Sequence, residues 1–209
     1  FVVQRATGKI TLHSKPGKFS LLHTLFATYV RERHARTLVD IGCSGGLSSF
    51  LAIQAGFKHA LCLDHDLEYI ELVTTVARLL AVDQRVAAHK FSFGDSIEQF
   101  SQPAFPADAV LCGAIIHWVY SLTADFGSFD LLFDYLMPFV KPNGLLMIEW
   151  INEQDGAIAG TIGNARDTAV PYTTENFERA LIEHGAVIYR GVLDAEWPHR
   201  VLYVLQRQC

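Results

Sequence analysis

The sequence predicts an α/β fold with a seven-stranded, mostly parallel sheet, an antiparallel last strand and helices on both faces. Short apolar runs alternate with longer amphipathic runs, which is typical of βα units around a parallel sheet. A glycine-rich turn at residues 42–46 joins the first apolar run to the first amphipathic run. The last two apolar runs have no helix between them, which predicts an antiparallel hairpin at one edge of the sheet.

The predicted elements follow one another after residue 36. Short apolar runs bounded by turn residues predict strands at 37–42, 60–64, 86–93, 107–112, 145–151, 186–192 and 201–206. Helices are predicted at 45–55, 67–81 and 126–140, and from a capping Thr173 or Thr174 to about residue 184. The turn residues at 141–144 are expected to stop the third of these helices.

Residues 1–36 precede the first predicted strand and are strongly basic. They carry a net charge of +6, whereas the whole chain carries −5. Residues 19–30 predict an amphipathic helix, so the expected organisation is a basic helical segment (1–36) packed on a core domain (37–209). The positive charge could attract a phosphate-bearing partner such as RNA, or it could be an ordinary solvated surface.

Composition excludes several classes of protein. Half of the residues are hydrophobic and 19% are charged, which favours a folded core over disorder. We find no apolar run of about 18 residues and no signal-peptide pattern. The four cysteines form no CxxC pair, which favours reduced thiols in the cytoplasm and no metal site. Because the chain starts at Phe1, we expect a processed protein or a domain of a longer chain.

The turn after the first predicted strand indicates a nucleotide site. Glycines allow positive φ and close approach of a ligand, and the following helix directs N–H groups toward it. The spacing of Gly42, Gly45 and Gly46 differs from the G-x-G-x-x-G of a dinucleotide-binding turn. The candidate cofactor-binding residues of this turn are Asp40, Gly42, Cys43, Ser44 and Gly45.

An acidic residue at the end of the second strand suits the ribose of a nucleoside. Asp64 lies 22 residues beyond Gly42, close to the spacing of about 20 found for ribose-binding acids. His65, the next residue, is a further candidate cofactor contact. The alternative is that Asp64 or Asp66 only caps the next helix; we expect Asp64 to bind ribose and Asp66 to cap.

These two features, with segments 93–96, 108–118 and 141–149, resemble the class I S-adenosylmethionine-dependent methyltransferases over residues 37–206. The resemblance implies a Rossmann-like fold, methyltransferase activity and S-adenosyl-L-methionine as cofactor. Residues 40–46 match motif I of that family. The resemblance further implies adenine contacts from Gly94, Asp95 and Ser96, and places Cys112 and Gly113 at the methyl-transfer edge. The alternatives are a simple turn at Asp95 and a relative of the fold that only binds the cofactor.

Two residues near strand ends are candidates for catalysis. The ordinary pKa of histidine lies near neutral pH, so His117 could remove a proton from the acceptor, and Glu149 could orient its ring or bind the acceptor. The candidate acceptor-binding residues are Trp118, Tyr120, Trp150, Arg166 and Arg200. The alternatives are core positions for the histidine and the aromatic residues, and pairing of Arg200 with Glu149 or Asp194. The long segment 152–171 is expected to be a lid or binding loop.

The expected acceptor is a sugar, a phosphate or another small molecule methylated on oxygen. Segments around His117, 148–150 and 199–203 resemble the methyltransferase part of bacterial polysaccharide methyltransferase-kinases, which implies a sugar or phosphate acceptor. RNA is the alternative acceptor, and residues 15–19 are similar to the first lysine segment of RNA ribose methyltransferases. The remaining positions of that family's Lys-Asp-Lys-Glu set depart, with Gly113, Glu149 and Arg200 in their place.

Overall fold

The computed structural model describes residues 2–4, 9–11, 16–96, 100, 105–122, 126–163 and 170–208. The strands are β1 (Val2–Gln4), β2 (Lys9–Thr11), β3 (Thr37–Ile41), β4 (His59–Asp64), β5 (Val86–Lys90), β6 (Ala107–Cys112), β7 (Val140–Ile151), β8 (Ala186–Val192) and β9 (Arg200–Gln206). The helices are α1 (Pro16–Arg33), α2 (Leu47–Ala55), α3 (Leu67–Leu79), α4 (Ile116–Leu122), α5 (Phe129–Leu136), α6 (Ala159–Gly163) and α7 (Thr174–His184). β1 and β2 form a small antiparallel pair apart from the main sheet.

The main sheet has seven strands in the order β5-β4-β3-β6-β7-β9-β8. The first five strands of this order are parallel to one another. β9 pairs antiparallel with both β7 and β8, and β8 and β9 are consecutive in the chain. The predicted seven-stranded sheet with an antiparallel last strand is therefore confirmed, together with its terminal hairpin.

Both faces of the sheet are covered by helices, as the nearly continuous apolar strands require. α1, α2 and α3 cover one face, where Phe26 and Val73 are buried. α4, α5 and α7 cover the other face, where Phe133 and Phe177 are buried. Because side chains alternate along a strand, neighbouring residues of β7 contact different helices. None of the helices in the described ranges is long and apolar enough to cross a membrane.

Several elements have other bounds than the sequence predicted. β5 ends at Lys90 rather than at residue 93, because the chain then turns and Asp95 hydrogen bonds to Ser92. The helix predicted from residue 126 begins at Phe129, where Ser128 provides the cap. The segment 140–144 does not simply stop that helix; it begins β7, with a register shift before the main pairing with β6.

Two described helices were missed by the sequence prediction. α4 starts four residues after β6 and has seven residues, too few for a clear helical period. α6 lies within the segment predicted to be one long loop. The predicted cap of α7 is Thr173, whose hydroxyl accepts a hydrogen bond from the Asn176 N–H. The missed helix α4 matters most, because it carries His117.

Candidate active site

The glycine-rich turn between β3 and α2 has the tight, left-handed geometry that the sequence predicted. Gly42, Ser44 and Gly46 have φ angles of 71°, 48° and 74°. A Cβ at Gly42 would lie 2.4 Å from Cγ2 of Ile115, so only glycine fits this approach. The Gly42 N–H donates to the Leu63 carbonyl at 2.8 Å, which holds the turn against the end of β4.

The carboxylate of Asp64, at the end of β4, joins two turns. It is only 6% exposed and accepts hydrogen bonds from the backbone N–H groups of Ser44 at 2.9 Å and Asp66 at 3.1 Å. His65 Nδ1 lies 3.3 Å from Asp64 Oδ1, while the His65 side chain is largely exposed. Asp66 accepts from the Glu68 N–H and caps α3, so the predicted cap is confirmed.

A second buried carboxylate, Asp40, ties β3 to the first turn of α2. Ser49 Oγ donates to Asp40 Oδ2 at 2.9 Å. Burial raises the pKa of Asp40 to about 6, while the Ser49 hydrogen bond and the positive charge of Lys18 act in the opposite direction. Lys18 of α1 therefore lies close enough to Asp40 for its positive charge to favour the ionised carboxylate.

The segment predicted to contact adenine forms a turn beyond β5. Asp95 Oδ2 accepts a hydrogen bond from the Ser92 N–H at 2.8 Å, and Gly94 has a φ of 96°. Tyr135 donates its hydroxyl proton to the Asp95 carbonyl at 2.9 Å. This is the simple turn that the sequence left open as an alternative; the adenine contacts of Gly94, Asp95 and Ser96 stay a prediction.

The end of β6 places Cys112 and Gly113 at the edge of the sheet that also carries the glycine-rich turn. Cys112 is buried, and burial raises the pKa of its thiol. Cys43, in the turn, also has a raised thiol pKa, chiefly because of its contact with Cys62. These three cysteines are free thiols. Gly113 faces Glu149: a Cβ placed on this glycine would lie 4.0 Å from Glu149 Oε2.

Glu149 is the most buried acid of this edge and is held between two cations. Lys18 Nζ lies 2.5 Å from Glu149 Oε2, and an Arg200 guanidinium nitrogen lies 3.8 Å from Oε1. Arg200 Nε also donates to Asp155 Oδ2 at 3.1 Å, and its guanidinium lies 4.6 Å from the centre of the Trp197 ring. The pairing of Arg200 with Glu149 was an expected alternative.

Lys18 and Asp155 were not among the predicted site residues. Lys15 and Lys18 belong to the segment that is similar to RNA ribose methyltransferases, but nothing in their spacing indicates that one of them contacts β7. Asp155 lies in the long segment after β7, where the sequence predicted a binding loop without choosing a residue. Asp194, the other expected partner of Arg200, instead lies near Gly17.

His117 is the second residue of α4 and is 4% exposed. Its pKa is lowered to about 4, chiefly by burial and also by the charge of Arg200, while Asp155 partly opposes the shift. No hydrogen bond joins His117 to Glu149 in the described part of the chain, because Glu149 faces α1 on one side of the sheet and α4 packs on the other. The two described side chains therefore share no hydrogen bond, and an orienting role of Glu149 stays a prediction.

The three aromatic residues predicted to bind the acceptor are divided between the core and the surface. Trp150 is fully buried and stacks on Phe177 with 4.0 Å between ring centres. Tyr120 is also buried and stacks on Phe129 at 4.1 Å. Both belong to the core, which is the alternative that the sequence left open, and their contact with the acceptor stays a prediction. Trp118 is 52% exposed and stays a candidate, and the predicted Arg166 lies outside the described residues.

Known proteins resemble this chain in fold. The chain is similar to the O-methyltransferase of Bacillus cereus in complex with SAH, with a TM-score of 0.64, 14% identity, and coverage of 97% of this chain and 86% of that one. It is similar to the N-methyltransferase NodS of Bradyrhizobium japonicum, with a TM-score of 0.63, 14% identity, and coverage of 95% and 100%. The chain has the fold of class I methyltransferases.

One known protein is similar to the chain in sequence but is much longer. The nodulation protein NoeA of Rhizobium meliloti is 24% identical over 188 residues, which cover 87% of this chain. The chain spans only 38% of the length of that protein. No family model matches the chain.

In this methyltransferase fold, most of the predicted site residues meet at one edge of the sheet. The carboxyl ends of β3, β4, β6 and β7 carry the glycine-rich turn, Asp64, Gly113 and Glu149. β9 is antiparallel to β7, so its first residue, Arg200, lies at the same edge. Ligands of open α/β sheets bind at this edge, where the loops after the strands leave a crevice.

Proposed function

We propose that the chain is an S-adenosylmethionine-dependent methyltransferase that transfers a methyl group to an oxygen of a small acceptor. The observation that carries the proposal is the hydrogen bond of 2.9 Å from the Ser44 N–H to the Asp64 carboxylate. It joins the glycine-rich turn to the acid at the end of the next strand. A nucleoside ligand of such a fold needs both features side by side.

The donors and acceptors present fit the adenosyl cofactor. Each oxygen of Asp64 has one backbone partner, and a carboxylate oxygen can accept a further hydrogen bond, so the ribose hydroxyls can donate to it. The turn at Gly42 brings backbone close to the ligand without a side chain in the way. The other residues proposed to line the cofactor are Asp40, Cys43, Ser44, Gly45, His65, Gly94, Asp95, Ser96, Cys112 and Gly113.

When bound, the cofactor supplies a methyl group on a positively charged sulfur. The chain must then align the acceptor oxygen and receive its proton. His117 is proposed to receive that proton: its ring is neutral near pH 7, but its pKa of about 4 makes it a weaker base than the ordinary histidine that the sequence predicted. Glu149, Arg200 and the exposed Trp118 are proposed to contact the acceptor.

A small acceptor is favoured over RNA by the position of Lys18. One of the seven basic residues before residue 37 is turned inward to Glu149 and does not add to a basic surface. Another, Arg31, pairs with Glu32 at 3.2 Å. A steep loss of acceptor affinity with salt would favour RNA instead, since phosphate contacts release counterions.

The proposal is tested by isothermal titration calorimetry with S-adenosylmethionine and S-adenosylhomocysteine. We expect saturable binding of both ligands. The absence of binding heat at millimolar ligand would contradict the proposal. Incubation with a methyl-labelled cofactor and a mixture of small hydroxylated acceptors, followed by mass spectrometry, would then identify the methylated oxygen.

A further inference from the structure

One side of α3 is apolar but faces solvent. The helix packs on β4 and β5 through its buried face. Beside that face, a row of apolar side chains follows the helix at spacings of three and four residues. This row, which we call the α3 stripe, consists of Tyr69, Leu72, Val76 and Leu79. Leu79 is 79% exposed, and Tyr69 and Leu72 are 40% and 39% exposed.

The α3 stripe lies at the outer end of its layer of helices. β5 is an edge strand of the main sheet, so α3 is the outermost of the three helices on this face. A groove of about 460 Å³ continues the apolar surface from α3 to α2, where Leu47, Phe50, Leu51 and Leu80 contribute to its walls. Leu80 follows the stripe directly and is 57% exposed.

The apolar area is large enough for a protein partner. A large apolar side chain offers roughly 200 Å² when fully exposed, so the α3 stripe and Leu80 together leave on the order of 400 Å² in solvent. Single exposed leucines are common, but a continuous row of this size marks an interaction surface. A specific dimer buries roughly 800 Å² on each partner, about two-thirds of it apolar. The stripe and the groove beside it supply most of that apolar part.

The order of residues along the stripe is symmetric about Thr74. Tyr69 and Leu79 lie five residues before and after it, and Leu72 and Val76 lie two residues before and after it. Two α3 helices packed antiparallel across a two-fold axis at this level place Tyr69 opposite Leu79. They also place Leu72 opposite Val76. A two-fold contact needs such a match of one surface with itself.

The charges beside the stripe are complementary in the same arrangement. Glu68, Glu71 and Arg78 are exposed, and each precedes a stripe residue by one position, so they form a row along one side of the stripe. A two-fold axis brings this side of both helices together. Arg78 of one copy then lies opposite position 70 of the other, within about 3 Å of Glu68 and Glu71 along the helix axis. Parallel packing would instead set like charges against one another.

We propose that the α3 stripe is a dimerisation surface for a second copy of this chain, with the two α3 helices antiparallel across a two-fold axis near Thr74. The symmetry of the stripe and the matching charges single out a second copy among protein partners. The inference goes beyond the proposed function and does not depend on it, because the stripe contains none of the residues proposed to bind the cofactor or the acceptor.

Sedimentation velocity at about 1 to 100 µM protein tests the proposal. We expect a concentration-dependent dimer. Leu79→Glu places a charge in the stripe of both copies and should weaken association about 100-fold or more. Ile182→Glu, at a residue of α7 that is 67% exposed on the other face of the sheet, is the matched control and should leave the dimer unchanged. Circular dichroism shows that the variants fold.

Two outcomes of this experiment would overturn the inference. One is a wild-type chain that stays monomeric up to about 100 µM, which is the result expected if a different protein covers the stripe. The other is a dimer that Leu79→Glu does not weaken, since the two copies would then meet through another surface.

An exchange of charges tests the antiparallel arrangement. Arg78→Glu in one protein, and Glu68→Lys with Glu71→Lys in a second, should each weaken the dimer about tenfold, because like charges then face each other. An equal mixture of the two proteins should associate again, since each carries the charges that the other now needs. A mixture that associates no better than either protein alone would contradict the proposed pairing of the two helices.

Discussion

The ammonium group of Lys18 lies 2.5 Å from the carboxylate of Glu149, although 131 residues separate them in the chain. Lys18 is in the first turn of α1, and Glu149 is near the end of the interior strand β7. Side chains alternate along β7, so Glu149 faces α1 while Trp150 faces the opposite layer. The pair thus connects the N-terminal helix to the edge where we place the chemistry.

The first prediction concerns the coupling of this pair. Lys18→Met should lower the free energy of unfolding by about 3 kcal/mol or more, because it leaves Glu149 buried without its closest cation. The double variant Lys18→Met/Glu149→Gln should lose less than the sum of the single losses. Urea denaturation of the four proteins measures the coupling. The exposed pair Arg31–Glu32 is the control and should couple by less than about 1 kcal/mol. Additive losses at Lys18 and Glu149 would contradict the prediction.

The second prediction separates two neighbouring acids. Asp64→Ala should weaken S-adenosylmethionine binding about tenfold or more, because the ribose hydroxyls lose a charged acceptor. Asp66→Ala should leave that affinity unchanged and lower the free energy of unfolding by about 1 kcal/mol, since Asp66 caps α3. Calorimetric titration and urea denaturation give the two quantities. Equal cofactor affinity in wild type and Asp64→Ala would remove Asp64 from the cofactor site.

The third prediction distinguishes a core tryptophan from a surface one. Trp150→Ala should lower the free energy of unfolding by about 3–5 kcal/mol, because its stacked ring leaves a cavity between Tyr172 and Phe177. Trp118→Ala, at a side chain 52% exposed, should change stability by less than about 0.5 kcal/mol. Thermal and urea denaturation test both. If Trp118 contacts the acceptor, its variant should raise KM with little change in kcat.

The fourth prediction concerns pH and His117. Its pKa is about 4 in the folded chain against an ordinary 6.5, so the folded state favours the neutral ring. As pH falls from 6.5 to 4, the unfolded chain takes up this proton first, and wild type should lose up to about 3 kcal/mol relative to His117→Gln. Urea denaturation at several pH values measures the difference. Parallel curves for the two proteins would contradict the lowered pKa.

His117 should also affect the rate of methyl transfer and its dependence on pH. Because His117 stays neutral down to low pH, the rate of methyl transfer should not fall between pH 8 and 6 through protonation of this ring. His117→Ala should lower kcat with a smaller effect on cofactor affinity. Near-full turnover in this variant would exclude His117 as the proton acceptor.

The fifth prediction has the opposite sign and concerns Asp40. Burial raises its pKa to about 6 from 3.8, so ionisation of Asp40 opposes folding as pH rises above 4. Asp40→Asn keeps an acceptor for Ser49 and should stabilise the protein at pH 7.5 by on the order of 2 kcal/mol, with little effect at pH 4. The exposed Asp83→Asn is the control. Equal stability of wild type and Asp40→Asn at pH 7.5 would contradict the prediction.

Much of the fold could be predicted because its signals are local. Apolar runs, the glycine-rich turn and the helix caps each depend on residues close together in the sequence. The errors fall where local signals are short or ambiguous. α4 has too few residues for a clear period, and residues 140–144 contain turn residues but pair with β6 as part of a bulged strand.

The site was predicted in part for the same reason. The turn at Gly42–Gly46 and Asp64 come at a fixed spacing, so the sequence indicated that they belong together, and the hydrogen bond from Ser44 joins them. Lys18 and Asp155 have no characteristic spacing in the sequence from the other residues of the site. Their relation to Glu149 and Arg200 depends on how α1 and the segment after β7 lie on the sheet.

The sequence by itself determined the order of the seven strands of the main sheet and of the longer helices, the glycine-rich turn and the acid that follows it, because each is encoded within a few neighbouring residues. Only the tertiary structure decided which side chains share a face. It placed Tyr120 and Trp150 in the core, turned Glu149 away from His117 and brought Lys18 to it. The physical reason is that a one-residue step along a strand reverses the face, and that contacts across 131 residues depend on packing that no local pattern records.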